Sequence, residues 1–78
     1  MAFLPVIGSD DVRYLIPVGS VENVDVFTKS FLISFRVKSD VEGYQVFKFG
    51  FNSYAACKFL VKQFKNLGGK CKINYLKK

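Results

Sequence analysis

No histidine occurs in this chain. That removes the commonest general base and the commonest metal ligand. Cysteine is scarce: Cys57 and Cys71 have neither CxxC spacing nor a histidine to complete a zinc ligand set. Two cysteines are also a poor framework for a secreted mini-protein. Both read as small buried apolar side chains, with a mutual disulfide or a reactive thiol as alternatives. A reducing cytoplasm is the compartment this implies. No GxxxxGK loop is present, and Gly68-Gly69 follows a helical stretch where a phosphate cradle would precede one. No apolar run approaches the roughly 20 residues of a membrane helix. Residues 1–8 lack the positive n-region and long h-region of a signal peptide. From residue 43 onward there is no acidic side chain at all.

What remains is apolar and basic. Half of the 78 residues are apolar, nine are Phe, and the net charge is +6. This is too hydrophobic for disorder. One small domain is expected, with a marginal core, since so short a chain buries only about 60% of its unfolded surface. The aromatic load is heavy for that interior. Some rings should stay outside as an interaction patch, which a second copy of the chain is one way to cover. Asp10, Asp11, Glu22 and Asp25 lie early, while Lys48, Lys58, Lys62, Lys65, Lys70, Lys72, Lys77 and Lys78 fill the acid-free part.

Hydrophobic periodicity orders the elements. Pro5 and Gly8 mark an N-terminal arm or short strand, and Asp10-Asp11 a turn. Residues 12–18 are β-prone, with Pro17 confining the strand to an edge or ending it near 16. Residues 24–38 are β-rich, too long for one strand, with a bend expected near 27–30. Within them Phe31, Ile33, Phe35 and Val37 alternate with Ser30, Ser34, Arg36 and Lys38, the pattern of a strand with one buried face. Residues 39–43 supply a hairpin loop. Residues 44–51 form its second strand, with Phe47, Phe49 and Phe51 on one face and Tyr44, Val46 and Lys48 on the other.

Residues 54–67 read as a helix, capped by Asn52 or Ser53 and ended by Gly68-Gly69. Ala56, Phe59, Leu60, Phe64 and Leu67 make the expected core stripe. Lys58, Lys62 and Lys65 form a row on the opposite side. Residues 71–76 close as a strand. The predicted class is α+β, in the order β-β-β-α-β: about four antiparallel or mixed strands with one helix on one face. The other face should show Lys48, Arg36 and Ser34, with Lys70 and Lys72 if the last strand keeps phase.

The stretch Val46-Phe47-Lys48-Phe49-Gly50-Phe51 interleaves charge and rings. Its Phe49-Gly50-Phe51 resembles the aromatic-Gly-aromatic triplet on the third strand of RNA-recognition-motif domains, and the helix followed by Ile73-Asn74-Tyr75 resembles the end of that fold. Phe47 and Lys48 occupy that motif's basic and Gly positions, and no helix separates the first two strands, so membership is not assigned. The helix needs an apolar sheet face, which places the three Phe in the core rather than on an outward stacking platform.

Carboxylates at Asp10, Asp11, Asp40 and Glu42 fall on turns and read as turn chemistry. No catalytic residue, cofactor or metal is expected. A solvated helix face ordinarily interleaves Glu with Lys, and this one has no Glu. The expectation is a non-enzymatic domain that binds nucleic acid electrostatically. Lys58, Lys62, Lys65, Lys70, Lys72 and Lys77 contact phosphates, joined by Lys48 and Arg36 on the sheet. The alternative is a protein-binding inhibitor or adaptor, for example a phage- or mobile-element-encoded modulator of a host complex. It would bind an acidic or nucleic-acid-handling protein or extend a sheet edge. A lysine-faced helix on anionic lipid is the weaker reading, because the sheet needs its apolar face.

Overall fold

Alternation along residues 32–39 sets the centre of the fold. A computed structural model describes residues 2–40 and 43–78. In it, Ile33, Phe35 and Val37 of β4 (Leu32–Ser39) are buried, while Arg36 and Lys38 are exposed on the other side. β4 pairs antiparallel with β5 (Gly43–Gly50), from Leu32↔Gly50 to Ser39↔Gly43. Ser39↔Gly43 closes the expected hairpin; Val41 and Glu42 of its loop lie outside the described residues.

On the other side β4 pairs antiparallel with β3 (Val21–Phe27), whose Val24 and Val26 are fully buried. The bend expected near 27–30 is thus a full turn between two strands. Phe31 sits there at φ 54°, and its carbonyl accepts from the Phe51 N–H at 2.8 Å. β6 (Ile73–Leu76) pairs parallel with β3, giving the order β5-β4-β3-β6. Parallel partners need a long crossover. The helix α1 (Tyr54–Asn66) supplies it, carrying the chain from one sheet edge to the other.

The class is α+β as expected, with more β structure than the β-β-β-α-β string. β1 (Phe3–Ile7) and β2 (Arg13–Pro17) make a separate antiparallel two-stranded sheet, and a 3-10 turn (Val18–Ser20) leads into β3. Leu4, Val6 and Ile16 of this hairpin join the same buried cluster as β3, β4 and α1. Tyr14 meets Phe49 edge-on at 5.4 Å between ring centroids. Hairpin and helix therefore share the covered face of the four-stranded sheet. Phe49 is buried there, and Phe47 and Phe51 pack partly against the cluster. The Phe49-Gly50-Phe51 triplet is not an outward platform.

Helix α1 starts where Ser53 Oγ accepts from the Ala56 N–H at 3.2 Å. It ends in a Schellman pair, with Gly69 N–H donating to the Phe64 carbonyl and Gly68 N–H to that of Lys65, both at 3.0 Å. Gly68 carries φ 99°, which favours glycine. The buried stripe is Cys57, Leu60, Val61 and Phe64. Phe59 and Leu67 were expected in the core and are exposed, Phe59 at 63%. The reason is rotational. Cys57 and Val61 present an apolar line one step round from Phe59, and the sheet takes that line because it is continuous with Leu60 and Phe64. Phe35 and Phe64, both fully buried, lie 5.8 Å apart at this helix–sheet contact.

Candidate nucleic-acid interface

The rotation of α1 decides what its outer side displays. With Cys57 and Val61 turned inward, Tyr54, Lys58, Lys62 and Lys65 fall along the flank that overlooks β6. There they line an open groove of about 590 Å³ with Phe59 and Tyr75. Among the described residues its lining contains no carboxylate. Helical spacing puts Lys58, Lys62 and Lys65 on successive turns. Tyr75 reaches the groove from β6, where it pairs with Val26 and so projects toward the helix side of the sheet. Tyr75 is 49% exposed and Tyr54 37%. Lys58 Nζ stands 5.8 Å from the centroid of the Tyr54 ring, the outer limit of a cation–π contact.

The remaining basic positions are not all brought to this groove. Lys70 and Lys72 lie on the link from the end of α1 to the start of β6, and Lys77 directly follows β6. These flank the groove's strand. Arg36 and Lys48 belong to the opposite, uncovered face of the four-stranded sheet. There the Arg36 guanidinium stacks on Tyr44, its Cζ 3.8 Å from the ring centroid. Beside them on that face run Ser34 and a polar cluster of Asn23, Asp25 and Asn74. Lys58, Lys62 and Lys65 are thus brought together in the groove, while Arg36 and Lys48 lie across the sheet from them. Only the helix-side group combines several lysines with exposed rings and no carboxylate.

Sequence reasoning placed Phe59 in the core stripe and assigned none of the groove's three rings to a binding site. The signal was present in Phe59, which sits between Lys58 and Lys62 on a helix already supplied with enough apolar residues to pack.

Burial pushes the Cys57 and Cys71 thiols up, so neither gains thiolate character, and both are free. Among the described residues no group of three or more Cys, Asp or Glu side chains is placed to hold a metal ion. Among the described residues, too, no helix is long and apolar enough to cross a membrane. Comparisons with protein-family models, curated proteins and solved structures return no match.

Proposed function

We propose that this chain is a small non-catalytic domain that binds nucleic acid electrostatically, centred on the α1–β6 groove. The carrying observation is the lining of that groove: Lys58, Lys62 and Lys65 beside exposed aromatic rings, with no carboxylate among them. Lysines neutralise phosphates and release condensed counterions, which supplies affinity without reading sequence. Among the described residues no Arg, Asn or Gln lines the groove, so recognition is expected to be weakly sequence-specific. Lys70, Lys72 and Lys77, next to β6 in the chain but outside the groove lining, are proposed as outer contacts. Lys48 and Arg36, beyond the sheet, are left as a secondary contact.

Fluorescence anisotropy with short oligonucleotides, followed from low to moderate salt, tests this. Affinity should fall log-linearly with salt. Changing Lys58, Lys62 and Lys65 together to Gln should flatten the slope by about 2–3 units, without lowering thermal stability. Absence of binding even at low salt ends the proposal.

A second reading, a protein-binding inhibitor or adaptor, draws on another surface. The outward side of the β1–β2 hairpin presents Phe3, Ile7 and Leu15, all exposed. An apolar cluster of this kind is a common interaction surface. Light scattering distinguishes self-association through it from a monomer with a different protein partner.

A further inference from the structure

We infer that the ligand of the α1–β6 groove is single-stranded nucleic acid, with an unpaired base stacked on Phe59 and Tyr75. This rests on the nucleic-acid reading above and narrows it.

Phe59 is the informative residue. It is 63% exposed although the helix buries a complete stripe of Cys57, Leu60, Val61 and Phe64 without it. A lone exposed ring is ordinary, but Phe59 shares one groove lining with Tyr54, Tyr75 and three lysines, which offers a ligand flat apolar faces beside positive charge. The neighbouring lysines specify that the same ligand is anionic. Lys58, Lys62 and Lys65 span seven residue steps of helix, about 10 Å of axis. Tyr75 stands across the groove on β6 and Tyr54 at the helix start, so rings border the lysine row on both sides.

A nucleotide chain with accessible bases meets both requirements. In a duplex, bases stack on one another and offer a protein only their edges and the backbone. In a single strand each base has a free π-face, and aromatic platforms beside a cationic track are the usual way proteins hold such strands. The volume of about 590 Å³ lies in the range of sites for small organic groups and accommodates a nucleobase. Anionic lipid shares the charge but not the fit. The helix's continuous apolar stripe is turned into the protein, which leaves Phe59, Tyr54 and Tyr75 as rings interspersed with ammonium groups rather than a continuous inserting face.

Three probes are compared by anisotropy or co-sedimentation: a single-stranded homopyrimidine oligonucleotide, a duplex of equal length, and vesicles containing phosphatidylserine. The single strand should bind more tightly than the duplex. Phe59→Leu, which keeps an apolar side chain but removes the π-face, should weaken single-strand binding about tenfold while leaving the salt slope and the melting temperature unchanged. Tyr75→Leu should act in the same direction. Since the chain has no Trp, bound bases should also quench its Tyr emission, and Tyr75→Leu should reduce that quenching. A duplex bound as tightly as the single strand, with Phe59→Leu silent, overturns this inference and leaves the electrostatic reading standing. Binding to vesicles but to neither oligonucleotide overturns both.

Discussion

Gly69 lies against the ring of Phe64: a Cβ built on Gly69 would come within 2.6 Å of Phe64 Cζ. The same two residues are joined through the backbone, Gly69 N–H to Phe64 carbonyl. The helix end and the core thus meet at one point, and the absence of a side chain at 69 lets them. Phe64 is 1% exposed and cannot swing away. Gly69→Ala should therefore act as core overpacking, with a cost of about 1–3 kcal/mol. Gly50→Ala is the control. Nothing lies within 4 Å of its added Cβ, so neutrality or a gain of roughly 0.5 kcal/mol is expected. Urea midpoints at unchanged m-value read the difference. Equal midpoints for the two variants would contradict the packing described.

The two phenylalanines of α1 should respond oppositely to truncation. Phe64→Ala removes a ring enclosed by Phe35 and the sheet, a loss of about 3–5 kcal/mol, enough to leave a domain of this size largely unfolded. Phe59→Ala removes a ring mostly in water and should change stability by no more than about 0.5 kcal/mol. Thermal melts of the two proteins decide. A large loss from Phe59→Ala would return that ring to the core and remove the aromatic element of the groove.

The same helix shows what the sequence could and could not convey. Its ends were legible because caps are local: Ser53 and Gly68-Gly69 act on backbone groups a few residues away. The β4–β5 hairpin was legible because period two marks a buried face whatever lies on it. The rotation of α1 was not, because Phe59 and Val61 are both apolar and only the shape of the sheet chooses between them. Strand order was hidden for a similar reason. β6 pairs with β3, some fifty residues earlier, and no local pattern encodes that partner. The separation of Arg36 and Lys48 from the groove lysines followed from these hidden choices: Lys48 and Lys58 are ten residues apart, yet the sheet lies between them.

Asp10 and Tyr14 give the β1–β2 turn a defined pH response. Tyr14 O–H donates to Asp10 Oδ2 at 2.7 Å, and the Val12 N–H donates to Oδ1 at 3.1 Å. The Tyr14 hydrogen bond, then the Val12 one, hold the Asp10 carboxyl below the usual carboxylate range. The bond to Asp10 pushes the Tyr14 phenol up. For a depressed carboxyl the contribution is present above the unfolded value of about 3.9 and fades as pH falls through the lower folded value. For a raised phenol it is present below about 10 and fades as pH rises through the higher folded value. The turn should therefore be firmest between these limits. Tyr14→Phe keeps the ring packed on Phe47 and Phe49 but removes the donor. An NMR titration should then show the Asp10 carboxyl moving upward; an unmoved titration excludes the hydrogen bond as its cause.

Asn74 fixes β6 from the side opposite the groove. Its Nδ2 donates to Asn23 Oδ1 at 2.9 Å and to Asp25 Oδ1 at 3.0 Å, tying the last strand to β3. β6 is four residues long and lies at the sheet edge, and these side-chain bonds add to its backbone pairing with β3. Tyr75 is the next residue and projects to the groove, so its position depends on Asn74. Asn74→Ala should cost about 1 kcal/mol and quicken amide exchange across β6 while β4 stays protected. Oligonucleotide affinity should drop a few-fold, although no lysine or ring has been touched. Asn74→Asp should loosen β6 further at neutral pH, because it sets a second carboxylate against Asp25, and acidification through the carboxylate range should relieve it by protonating one of the pair. If β6 exchanges at the wild-type rate in Asn74→Asp, the cluster does not anchor the strand, and Tyr75 owes its place to the backbone pairing with β3 and to packing on the helix side.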